Sequence, residues 1–311
     1  MRAKPQAAGI ARRARRVLLA ATLAAASALP VSAQPANRTT GDAASTSVRG
    51  ADRVELSAAL AHAALSLPAE ATGAAIWSGL FADMPTTHGG AVATVIFVPD
   101  AVGLDRRAIA SWQRWLAGLG VASVALDVRG TTAAMPSPPT PSLAQQERLQ
   151  EARREAIAAA LQALAAVRWA DAGRLLLAGS VDGAVAVARY PGDGFAARMI
   201  FGWGCEANAF VHDPMLALPP QRALLVVLSA DDRRYGSDNV WLGHAVTKAH
   251  CGDALADPKF GTIALTPGAA DTLFDSPAAR ALTAGFLRTT PARDGRPMLP
   301  QPAASSDGGR R

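Results

Sequence analysis

From residue 92 onward the chain alternates between short, β-branched apolar runs and longer segments whose apolar residues recur every three or four positions. The short runs, Val92–Val98, Val121–Val128, Arg174–Gly179, Arg198–Gly202, Ala223–Ser229 and Gly261–Thr266, are the strand candidates. None alternates apolar with polar residues, which is the pattern of strands covered on both faces. Strands separated by helical segments predict an α/β fold: a doubly wound, mostly parallel sheet with helices on both faces.

The intervening segments carry helix signals. Asp105 is placed to cap a helix running through Trp112, Trp115 and Leu116 to Gly118. Ser142 precedes the longest, about Leu143–Val167, in which Leu149, Ala152, Ala156, Ala160 and Leu164 form an apolar face. Glu147, Arg148, Glu151, Arg153 and Arg154 are assigned largely to the opposite, polar face. Further helices are expected over about Ser237–His250 and Ser276–Leu287. Before residue 92, Val54–Leu67 reads as an amphipathic helix and Ala74–Phe81 as a strand leading into the Gly89-Gly90 turn.

The first residues change the picture of where the protein works. Arg2, Lys4, Arg12, Arg13, Arg15 and Arg16 precede an apolar run from Val17 to Leu29 and the tripeptide Val31-Ser32-Ala33. This is the layout of a secretory signal peptide cut after Ala33, so a periplasmic or secreted protein is expected. The apolar run is too short to cross a hydrocarbon core of roughly 30 Å, and no membrane span is expected in the mature chain. Arg15-Arg16-Val17-Leu18-Leu19 resembles a twin-arginine signal without its usual flanks, which leaves the export route open. The chain carries 31 basic and 25 acidic residues, but six of the basic groups lie in the leader, leaving 25 of each afterwards. A polyanionic partner such as nucleic acid is therefore not expected. Residues 34–50 read as a flexible segment, 51–289 as one domain and 290–311 as a flexible tail. Two cysteines in an oxidising compartment, Cys205 and Cys251, favour a disulfide over two separately buried thiols.

Residues 169–184, Trp-Ala-Asp-Ala-Gly-Arg-Leu-Leu-Leu-Ala-Gly-Ser-Val-Asp-Gly-Ala, contain a strand followed by the turn Gly179-Ser180-Val181-Asp182-Gly183. This segment resembles the strand and nucleophile elbow of the dienelactone hydrolase family of the α/β-hydrolase fold. Leu225–Asp232 resembles the strand that delivers that family's acid, and residues 266–275 resemble its Tyr-Pro-Gly-Ala-x-His-x-Phe-Asp segment. Order and spacing agree over about residues 92–288, so the resemblance implies an α/β-hydrolase-like fold.

It does not imply the chemistry. Serine hydrolysis needs a serine that attacks, a histidine that moves its proton and a carboxylate that orients the imidazole. By the resemblance the nucleophile position is Val181, the histidine position falls near Asp271, and the acid is Asp231 with Asp232 as alternate. No histidine follows His250. On the oxyanion side Pro99 supplies no N–H, and Asp100 brings negative charge. Two residues offer substitutes. Ser180, one position before the elbow centre, reads as a turn residue facing into the fold, and Asp182 serves as nucleophile only if the register slips by one.

The remaining candidates are bland. His62, His88, His212, His244 and His250 lack the spacing of a metal site, and neither a metal nor a cofactor is expected. Trp112 and Trp115 read as core, whereas Trp203, just past a strand, is placed to line the ancestral pocket. Two functions follow: a non-catalytic binding or accessory module retaining the fold and a small-molecule ligand pocket, or a weak hydrolase of small esters or lactones using Ser180 or Asp182. Oligomeric state is not legible.

Overall fold

Uninterrupted apolar runs satisfy their backbone groups most cheaply by pairing with one another. In the computed structural model they do so across one sheet. The structure describes residues 60–100, 106–127, 142–207, 211, 213–232, 251, 255, 257–267 and 273–299. The expected helix 237–250, the Asp105 cap and Asp271 lie outside these residues.

The strands are β1 (Ala64–Leu67), β2 (Trp77–Leu80), β3 (Val92–Val98), β4 (Ala122–Ala125), β5 (Ala170–Ser180), β6 (Ala197–Phe201), β7 (Ala223–Ser229) and β8 (Gly261–Thr266). The helices are α1 (Ala69–Thr72), α2 (Arg106–Gly118), α3 (Leu143–Ala165), α4 (Asp182–Arg189) and α5 (Pro277–Thr289). The eight strands lie in the order β2-β1-β4-β3-β5-β6-β7-β8. Strand β1 is antiparallel to both its neighbours, and the remaining pairs are parallel. No helix among the described residues is long and apolar enough to cross a membrane.

Successive residues of the central strands feed two separate cores, one on each face. Ile96, Leu177, Ile200 and Val226 pack with Ile157 and Leu164 of α3 and with α4. Val95, Leu176, Met199 and Val227 pack with Trp112 and Leu116 of α2 and with Phe286 and Leu287 of α5. The second core holds an aromatic group in which Phe201 and Phe274 lie 4.9 Å apart and Phe97 and Trp112 5.2 Å apart, centroid to centroid. Each such pair adds about 0.5–1.5 kcal/mol beyond the area it buries.

Strands β3, β7 and β8 have the expected bounds, whereas β4 is shorter than expected and β5 longer. Four expectations are corrected. Residues 64–67 are strand, not the end of a helix. Pro68 disfavours helical backbone at Leu67, and Ala64–Leu67 gains ladders on both sides, with Gln113 Nε2 donating to Ala64 O at 2.9 Å. The strand expected over 74–81 is confined to Trp77–Leu80, and Phe81 begins a 3-10 turn. Arg153, assigned to the polar face of α3, is fully buried. Finally, the chain remains packed past 290. Pro291 and Pro297 form a bridge, Arg293 N–H donates to Gly173 O at 2.8 Å and Met298 is buried.

Candidate functional site

The turn between β5 and α4 is where the sheet presents residue 181. Val181 has φ 47° and ψ −113°, a conformation that a β-branched residue adopts only under constraint. Such strain costs of order 1–3 kcal/mol and persists because the surroundings over-determine it. Here Val181 N–H donates to Phe201 O at 2.8 Å. The flanking glycines permit the crowding. A Cβ on Gly179 would lie 2.6 Å from Val187 Cγ2, and one on Gly183 would lie 2.4 Å from Val98 O and 2.7 Å from Pro99 O. Val181 is thus the half-buried apex of a sharp strand-to-helix turn, the build of a nucleophile elbow, and it carries an isopropyl group.

Both flanking polar residues point elsewhere. Ser180 is buried, and its Oγ accepts the Asp100 N–H at 3.2 Å. Asp182 is buried against α3, where Arg153 Nη2 donates to its Oδ2 at 2.9 Å and Gln150 Nε2 donates to its backbone oxygen at 3.0 Å. Gln146, Gln150 and Arg153, at i, i+4 and i+7, form one buried polar row on α3. The far end of α4 is held as firmly. Buried Arg198 on β6 donates through Nη1 to the carbonyls of Val187 and Ala188, both at 3.0 Å, and through Nη2 to that of Tyr190 at 2.6 Å. Burial lowers the Arg198 pKa to about 10 against the opposing pull of Tyr190 and Asp193, so the guanidinium stays charged at neutral pH and answers the negative end of the helix dipole.

Hydrolases of this fold assemble the oxyanion hole from the N–H after the nucleophile and one from the loop following β3. Here Pro99 has no N–H, the Asp100 N–H goes to Ser180, and the Val98 and Pro99 carbonyls crowd Gly183. Among the described residues, which stop here at Asp100, the end of β3 turns carbonyl acceptors toward Gly183.

Two strands from the elbow, β7 ends at Ser229. Asp231 follows it, exposed, with its N–H donated to Ser229 Oγ at 3.2 Å, and Asp232 beside it is buried. Both lie at the carboxyl edge that also carries Val181, where ligands of parallel α/β sheets bind.

Cys205, in the loop that follows β6, forms a disulfide with Cys251, which lies between β7 and β8. Trp203, expected to line the pocket, is instead wholly buried, its indole N–H donated to Glu206 O at 3.0 Å. Among the described residues, a groove of about 600 Å³ beside Arg288, Arg296 and Leu299 and one of about 470 Å³ beside Leu143, Arg189 and Met215 are each lined without Val181. Sequence reasoning missed Arg153, Gln150 and Arg198. The first had a usable signal, since residues 149, 153, 156, 160 and 164 share one helical stripe.

No family model matches the chain, and no curated protein matches it by sequence. Solved structures do. A cold-adapted esterase from an Arctic intertidal metagenomic library is 16% identical, with 72% of this chain and 90% of that one aligned at a TM-score of 0.47. A protein of Klebsiella pneumoniae subsp. pneumoniae, provisionally named a dienelactone hydrolase, is 18% identical over 65% of this chain and 88% of its own, at a TM-score of 0.47. A dienelactone hydrolase-like promiscuous phosphotriesterase from metagenomic libraries is 20% identical over 70% and 81%, at 0.42. By its own strand order, two helix layers and elbow turn, the chain has an α/β-hydrolase-like fold.

Proposed function

We propose that this protein is a non-catalytic α/β-hydrolase-fold module, exported to the periplasm or medium, that binds a small molecule or assists a partner at the carboxyl edge of the sheet. The observation that carries the reading is the identity of the elbow apex. A side chain of carbon and hydrogen cannot attack a carbonyl. The engagement of Ser180 with Asp100 and of Asp182 with Arg153 supports the same reading, because each substitute nucleophile would first have to leave its present partner.

The competing reading is a weak hydrolase of small esters or lactones using Ser180 or Asp182, with Asp231 as the acid. Fluorophosphonate labelling and turnover of short-chain aryl esters separate the two. Inert wild-type protein is the expected result. Labelling and turnover that vanish in Ser180→Ala, or turnover that vanishes only in Asp182→Asn, would establish the enzyme. Export is tested separately, by mass spectrometry of protein recovered outside the cytoplasm, with a new amino terminus at Gln34 expected.

A further inference from the structure

Strand β8 closes one end of the sheet and, among the described residues, pairs only with β7. Its six residues, Gly261-Thr262-Ile263-Ala264-Leu265-Thr266, contain no charge and no proline, and their register with β7 is unbroken. Charges, prolines and bulges are the means by which sheets keep an edge from recruiting another strand. The two large side chains of β8 face water: Ile263 is 39% and Leu265 57% exposed. The opposite edge, β2, has only four residues.

The pleat decides which backbone groups are available. Ala230 N–H donates to Thr266 O at 2.8 Å, so Thr266 turns its groups toward β7. Alternation along the strand sends those of Ala264 and Thr262 the same way, and those of Ile263 and Leu265 outward.

We propose that β8 pairs antiparallel with β8 of a second copy of this chain, about a two-fold axis through Ala264. Residues 262–266 read almost alike in both directions: threonine, branched aliphatic, alanine, branched aliphatic, threonine. In this register Ile263 of each copy faces Leu265 of the other, and these two pairs exchange the outward N–H and C=O groups. Ala264 meets its own counterpart as a non-hydrogen-bonded pair. The four aliphatic side chains gather on one face across the seam, while Thr262 meets Thr266 on the other face. A two-fold interface must be complementary to itself, and this segment meets that condition by its sequence. Asp257 and Lys259, just before the strand, are ion-paired with each other at 2.7 Å, so the approach brings no isolated charge to the seam. A strand from a different protein could use the same edge, but nothing would then call for the palindrome.

The test is sedimentation of the purified protein at micromolar concentration. A dimer is expected, and Leu265→Lys, at an exposed position that leaves the β7 ladder intact, converts it to a monomer. Ala264→Cys places two thiols on residues whose Cα atoms lie about 4.5 Å apart, within disulfide range, and forms a cross-linked dimer on oxidation, whereas Thr262→Cys does not. A monomeric wild type, a dimer that survives Leu265→Lys, or an Ala264→Cys protein that fails to cross-link overturns the proposal.

Discussion

Arg153 and Asp182 form an ion pair of 2.9 Å whose side chains are 0% and 9% exposed, joining the middle of α3 to the first residue of α4. Two charges withdrawn from water repay their desolvation only while both are present. Arg153→Ala is therefore expected to lose about 3–5 kcal/mol of folding free energy by taking the cationic partner from a buried carboxylate. Adding Asp182→Asn to that variant should recover part of the loss. Urea denaturation of the four proteins of the cycle measures the coupling, and strictly additive losses would show that the pair does not act as a unit.

The apex backbone makes a second prediction, one that inverts an ordinary preference. Glycine in a regular element is usually less stable than alanine by roughly 0.5–1 kcal/mol. At φ 47° and ψ −113° the order reverses, because the penalty for a Cβ there is of order 1–3 kcal/mol. Val181→Gly should thus be more stable than Val181→Ala by about 1 kcal/mol. Thermal unfolding of the two variants decides it.

Removing the disulfide by paired Cys205→Ala and Cys251→Ala substitutions opens a loop closed across 46 residues. In the chain-entropy account a loop of that size is worth about 4 kcal/mol. A fall of that order in the free energy of unfolding is expected, measured against the oxidised wild type in the same buffer.

A pH dependence follows from Asp171 near the start of β5. Burial raises its pKa, but the Gly173 N–H, the Arg174 hydrogen bond and the charges of Arg174 and Arg296 outweigh burial, and the net shift is downward. A carboxyl whose folded pKa lies below its unfolded value of about 3.9 adds stability above that value and forfeits it as pH falls through the folded one. The urea midpoint of the wild type should therefore drop on acidification below about pH 4, and Asp171→Asn should be less stable at neutral pH with a shallower drop. Identical acid profiles for the two proteins would exclude the assignment.

Much of this architecture was legible beforehand, for reasons visible in particular residues. Val92–Val98, Ala223–Ser229 and Gly261–Thr266 could be bounded because an uninterrupted apolar run between turn residues has few other uses. Ala64–Leu67 was misread because alanine, leucine and serine fit a period of 3.6 as readily as one of 2, and only Pro68 argued otherwise. Val181 could be placed at the elbow from its glycine neighbours, since Gly179 and Gly183 are demanded by backbone contacts that leave no room for a Cβ. Arg153 and Arg198 stayed hidden because the composition of a residue says little about burial when its partner is a carboxylate or a set of carbonyls supplied by another element. Residues 291–298, at the start of the expected tail, were read as loose chain for a related reason. Prolines and small polar residues look unstructured until Asp171 and Gly173 supply them with a mooring.

That mooring has a practical side. Asp171 and Gly173 stand at the amino end of β5 and Val181 just past its other end, so the anchored residues 291–298 begin about 30 Å from the elbow along the strand axis. A surface tether or fluorescent label attached within this segment, at the exposed Arg293 for example, departs from the rear of the sheet. Immobilised that way, the protein would turn its elbow toward the solution, which suits it to ligand screening on a sensor chip.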